Sequence, residues 1–256
     1  MRVIRCVLLL FALLILPARA QESDVDLAQQ ASALYVQGEY EAARNLLEAL
    51  VAQGVHDSRV YFNLGQTYLR LNQPGWALVQ FRRAQTLSPR DRDVNLGLAR
   101  VRANRVDIEG DEIALPDSLT ALTSGVLTIA EVNAMMLVLW TSFFLLVALF
   151  ALRTRWHAAL RGPLACTLLL LLIGFGLWVS RWYSTVYRPA AVVVETAVPV
   201  MSGPGSDYLE IYTLHAAAEL RILEVRGEWA RIILPEERQG WLPLRAIERV
   251  EARQIR

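Results

Sequence analysis

"SRVYFNLGQTYLRLNQPGWALVQFRRAQTLSP", residues 58–89, holds two apolar stripes separated by a break. Tyr61, Leu64 and Tyr68 recur at three- and four-residue spacing, which gathers them on one face of a helix. Gly65 and Ala77 are small, so two antiparallel helices can approach closely there, and Phe81 fills the seam. Asn72-Gln73-Pro74-Gly75 interrupts the periodicity, and Pro89 stops the second helix. The stretch therefore predicts a helical hairpin.

The landmarks Tyr61, Leu64, Gly65, Tyr68, Ala77, Phe81, Ala84 and Pro89 resemble the tetratricopeptide repeat, a hairpin of about 34 residues. One period upstream, Gly38-Glu39-Tyr40-Glu41 and Ala43 recover the turn and the small residue, with Ala31 in place of the first glycine. Downstream, Asn95-Leu96-Gly97 echoes Asn63-Leu64-Gly65, and mostly polar or charged residues follow, so a capping helix is expected. Residues 21–105 are expected to form this repeat domain. Such repeats bind extended peptides on the inner face of each first helix. The resemblance makes Tyr35, Arg59, Asn63, Gln66 and Arg70 candidate groove residues, and the Asn63 amide can offer both a donor and an acceptor. A solvated polar face is the alternative reading of the same residues.

The chain is 54% hydrophobic over 256 residues, too apolar for one ordinary soluble domain. No charge occurs between Glu131 and Arg153, or between Arg161 and Arg181. Each run is long enough to cross about 30 Å of hydrocarbon as a helix, so transmembrane helices are expected at 131–152 and 163–183. Thr128 and Glu131 have the spacing of a capping box. Trp178, Trp182, Tyr183 and Tyr187 read as an interfacial aromatic belt. The intervening loop, 153–162, carries three arginines and no acid, which places it in the cytoplasm and gives His157 an interfacial position.

Residues 1–20 have the parts of a secretory signal peptide: Arg2 and Arg5, an apolar run from Cys6 to Leu16, and the small-residue site Ala18-Arg19-Ala20. An uncleaved anchor is the alternative. Signal peptide and arginine loop agree on one topology, with both mature termini outside. The only other cysteine is Cys166, so no disulfide forms within the mature chain. The net charge of +1 leaves no basic footprint for nucleic acid.

Residues 106–130 read as an acidic, turn-rich linker, and residues 189–250 as short strands. Ser202-Gly203-Pro204-Gly205, Leu214, Leu223, Glu224, Gly227, Trp229 and Gly240-Trp241-Leu242 resemble the bacterial Src-homology-3 domain, a small all-β barrel. Met201 departs from that pattern, which usually carries a polar residue there. Gly203-Pro204-Gly205-Ser206 fits a type II turn, with positive φ expected at Gly205. The loop lacks the Gly-Lys-Ser/Thr of a phosphate cradle and the G-x-S-x-G of a hydrolase elbow. Asp207, Tyr208, Tyr212 and Trp229 are the candidate ligand residues, although Trp229 and Trp241 also suit a core. Glu236 and Glu237 read as a hairpin tip. No acid pair, nucleophile–base set or metal-ligand spacing is found, and neither catalysis nor a cofactor is expected.

The order of these parts resembles the BatE-type proteins of bacterial aerotolerance operons. The residues that carry it are "ALYVQGEYEAARNLLEAL", residues 61–91, and the glycine loop with "GEWARI" and "GWLP". The resemblance implies a multidomain, non-enzymatic protein of the bacterial inner membrane, partnered by von Willebrand A-domain membrane proteins. Two functions are expected: a scaffold presenting two periplasmic recognition modules, or a cell-wall adaptor whose barrel grips peptidoglycan stem peptides.

Overall fold

The computed structural model describes residues 18–107, 127–234 and 238–251. Nearly all of the expected signal peptide, most of the linker, and Glu236 and Glu237 lie outside the described residues.

Five helices come first: α1 (Ala18–Gln37), α2 (Tyr40–Ala52), α3 (Ser58–Arg70), α4 (Pro74–Leu87) and α5 (Arg92–Ala103). They repeat at a strict interval. Gly38 and Asn72, 34 positions apart, both take positive φ (86° and 58°) where the chain turns between helices. Asp57 and Asp91, also 34 apart, each cap a helix by accepting from the backbone N–H groups two and three residues on. Ala43 and Ala77 are both fully buried at the same interval. Phe81 is the central wedge. A Cβ on Gly65 would sit 2.8 Å from its ring, and one on Gly97 2.9 Å. The two glycines thus let α3 and α5 close on the same phenyl ring.

The capping helix needs one correction. The motif echo aligns Asn95-Leu96-Gly97 with Asn63-Leu64-Gly65, an offset of 32. The capping aspartates and buried positions instead set an offset of 34. Val94, Leu98 and Val101 are buried where Val60, Leu64 and Thr67 are, and Leu96 is 55% exposed. Cap and burial determine helix register, so the tripeptide match is a coincidence of composition.

Two apolar helices follow. α6 (Ile129–Leu152) opens on the expected capping box, with Thr128 and Glu131 exchanging both bonds. α7 (His157–Tyr187) is longer than the apolar run. The non-helical break is therefore much shorter than the loop expected at 153–162. It is a single 3₁₀ turn, Thr154–Trp156. Ala158, Ala159 and Leu160 favour helix, and α7 continues through Pro163 although that residue removes an N–H donor and crowds the carbonyl four residues back. Both helices are long and apolar enough to cross a membrane, and almost nothing in either is buried.

The C-terminal strands are β1 (Ala190–Val193), β2 (Ala197–Met201), β3 (Glu210–His215), β4 (Glu219–Arg226), β5 (Trp229–Ile233), β6 (Gln239–Pro243) and β7 (Ile247–Arg249). They form one open antiparallel sheet ordered β3-β2-β6-β5-β4-β1-β7. Val193, Val198, Val200, Leu220, Ile232 and Leu242 alternate inward to make its core.

A second correction falls in the glycine loop. Gly205 is not among the positive-φ residues, so the type II turn does not form. The Gly205 N–H instead donates to the Gly203 carbonyl at 3.0 Å. This closes a three-residue turn about Pro204, whose fixed φ suits the centre of an inverse γ-turn. Gly203 is needed for space: a Cβ there would overlap the Tyr208 ring.

Candidate functional site

The candidate residues of the helical layer share one face. Arg59, Asn63, Gln66 and Arg70 follow one another at four- and three-residue steps along α3. Arg70 Nε donates to the Tyr35 hydroxyl of α1 at 3.0 Å, and its guanidinium lies 5.9 Å from that ring's centroid. Tyr35 packs edge-on against Tyr40. Arg59 is exposed, while Asn63 and Gln66 are half-buried. The face thus offers two amides beside an arginine–tyrosine pair.

The candidate residues of the sheet divide into two places. Asp207, Tyr208 and Tyr212 belong to the β2–β3 hairpin. Tyr208 is half exposed and leans on Gly203, next to exposed Leu209 and Ile211. Ser206 donates to Asp207 at 3.3 Å. The Arg238 guanidinium stands 5.3 Å from the Tyr212 ring. Trp229 lies on β5, three strands along in the sheet order, paired in register with Arg226 and Pro243. Trp241 is buried, with Arg226 over its ring at 5.3 Å.

A third cluster was not foreseen. Glu219, at the start of β4, is buried. Arg102 of α5 grips it with two bonds, Nε to Oε1 at 2.7 Å and Nη2 to Oε2 at 3.1 Å. Arg82 of α4 lies 3.8 Å away. Burial alone would raise the Glu219 carboxyl, but the charges of Arg82, Arg102 and Arg105 outweigh it and hold the group below its ordinary value. Nearby, Arg83 donates to the Glu248 carboxylate at 2.6 Å and to the carbonyls of Arg249 and Val250, covering the chain at the β7 edge. Asp107 accepts from the His215 N–H at 2.6 Å and lies 2.9 Å from its Nδ1, closing the end of the β3 edge. Val192, Ala217 and Val250 share one apolar core with the helices, and at Gly75 the backbone of α4 meets the backbone of Val193 and Val194 so closely that no Cβ fits. Helices and sheet therefore form one continuous body. Arg102 stands 34 positions after Tyr68, where the repeat pattern calls for an aromatic. That departure was the available signal.

Among the described residues no group of three histidine, cysteine or acidic side chains could hold a metal ion. No protein-family model matches the chain, and no curated protein matches it.

Proposed function

We propose that the chain is a membrane-anchored scaffold whose head combines tetratricopeptide-type repeats, α1–α5, with a Src-homology-3-like sheet, β1–β7. The observation that carries this reading is the Glu219–Arg102 clamp. Its partners lie 117 positions apart in sequence, and α6 and α7 come between them. If both helices cross the bilayer, the chain returns to the side it left, which is what contact between head halves requires. Arg90, which follows α4, binds both oxygens of Glu131 at the head of α6, at 2.7 and 2.8 Å, and this ties the head to the first span. The arginines of the 153–161 turn favour the cytoplasm for the far end, so the head is periplasmic in a bacterial inner membrane.

In this reading the α3 face holds an extended peptide of a partner, with Asn63 and Gln66 bonding its backbone. The partners suggested by the BatE-type resemblance are von Willebrand A-domain membrane proteins of the same assembly. The head does no covalent chemistry. A photoreactive residue at Gln66 and another at Tyr208, each in the full chain in intact bacterial cells, provide the test. Cross-links from Gln66 to a membrane protein are expected. Muropeptides captured at Tyr208, with none of protein at Gln66, would favour the cell-wall adaptor. A reporter active only in the cytoplasm, fused after Arg256, should stay silent, and activity there would overturn the topology.

A further inference from the structure

The turn between α6 and α7 carries an unusual concentration of unbalanced charge. Arg153, Arg155 and Arg161 are all exposed. No aspartate or glutamate occurs between Glu131 and Glu195, so the nearest acids in sequence stand at the opposite ends of both apolar helices. At about 1.5 Å per residue, they are roughly 30 Å from the turn, several Debye lengths at physiological salt. The other end of the hairpin differs, because there Glu131 already answers Arg90.

The turn itself is well held. The Arg153 N–H donates to Leu149 O at 3.0 Å and the Trp156 N–H to Arg153 O at 2.9 Å. The His157 ring stacks on Phe150, centroids 4.1 Å apart, and its Nε2 donates to the Phe150 carbonyl at 2.7 Å. His157 and Arg161 are four residues apart on α7, hence on one face. Trp156 is 53% exposed beside them. An exposed indole at the end of an apolar helix belongs at headgroup depth. The chain contains no lysine, so every one of its 26 basic side chains is an arginine. The guanidinium fork matches two phosphate oxygens at once.

We propose that Arg153, Arg155 and Arg161 bind the phosphate headgroup of an anionic phospholipid in the leaflet at the α6–α7 turn. The proposal rests on the membrane reading of α6 and α7. Clusters of basic residues beside a membrane span draw anionic lipid at about fivefold in affinity per residue. Here three residues act together, with no acid between Glu131 and Glu195 in sequence to compete.

The full chain, purified in detergent, is titrated with dioctanoyl phosphatidylglycerol, dioctanoyl phosphatidylcholine and inorganic phosphate, with the thermal midpoint as readout. Saturable stabilisation by phosphatidylglycerol alone is expected. The triple variant Arg153→Gln/Arg155→Gln/Arg161→Gln should bind it on the order of a hundredfold more weakly, and the triple lysine replacement, which keeps the charge but loses the two-oxygen fork, should fall between the two. If the triple glutamine chain does not fold, Arg161→Gln alone should lose about fivefold. Equal response to phosphatidylcholine, or retained binding in the glutamine variants, overturns the site. Equal affinity for inorganic phosphate overturns the lipid as its source. Flotation with phosphatidylcholine vesicles separates the two readings. A chain that floats but shows no anionic preference sinks the site alone, and one that floats with no vesicle sinks the membrane reading and the site together.

Discussion

Phe81 and Glu219 are the two residues on which most of the head depends, and they are unequally readable. Gly65, Ala77 and Phe81 fall within one hairpin, so their spacing alone reveals a close contact. Phe81 is fully buried between Gly65 and Gly97 and has nowhere to retreat. Gly65→Leu should cost about 2–3 kcal/mol by overpacking, and an unchanged thermal midpoint would remove Gly65 from the seam. Glu219 gives no such sign, because its arginines lie more than a hundred positions upstream and an alternating strand tolerates a glutamate on either face. Glu219→Gln should destabilise the head by about 1–2 kcal/mol, since the buried carboxylate loses its charged bonds to Arg102, which itself stays partly exposed. The glycine loop reverses an expectation drawn from turn statistics. Gly203→Val should disrupt the hairpin by displacing the Tyr208 ring, whereas Gly205→Ala should be mild, its Cβ meeting that ring at 3.2 Å. Circular dichroism melts of the two variants decide whether space at 203 or φ at 205 matters.

The helices are legible because a repeat states its rule more than once. The hairpin turn, the buried alanine and the apolar seam all recur within a few residues of their landmarks. What escapes is the register of α5, where a tripeptide match competes with the cap. Asp91 settles it, and Asp91→Ala should cost about 1 kcal/mol, measured as a loss of helical signal on mild heating. The apolar helix α6 can be read almost to the residue, because its capping box and its lack of charge coincide. The start of α7 cannot, because hydropathy marks where an apolar run begins and not where a helix begins. The sheet lies between these cases. Its core alternation is visible except in β3, where Leu214 alone is buried. The candidate ligand residues share a chemistry and not a place, for the sheet sets Trp229 on β5, three strands from Tyr212 on β3. Strand order arises from pairing between distant segments, and no short pattern encodes it.

At the scale of the molecule, the helical repeats and the strands become one body and the two apolar runs a hairpin. The interface is acid-sensitive in a stated direction. The Glu219 carboxyl is held below its ordinary 4.5 in the folded head. Its contribution is therefore complete above that value and is lost as pH falls through it toward the folded pKa. Denaturant midpoints of the full chain should fall on acidification below about 4.5, where an unfolded carboxyl takes its proton, and Glu219→Gln should flatten that part of the profile. A wild-type profile no steeper than the variant's would deny Glu219 this role. The same clamp imposes an order in time. Arg102 meets Glu219 across 117 positions of chain, and at ordinary rates of synthesis that gap is about 6–23 s long. Throughout it, the α4 face that will receive β1 stands open to water and three arginines wait without their acid. If α6 and α7 cross the bilayer as proposed, both must be inserted before the last strand can arrive. On the proposed topology the nascent repeats are a half-finished protein on the far side of the membrane, and whatever shields that open face is needed only during birth.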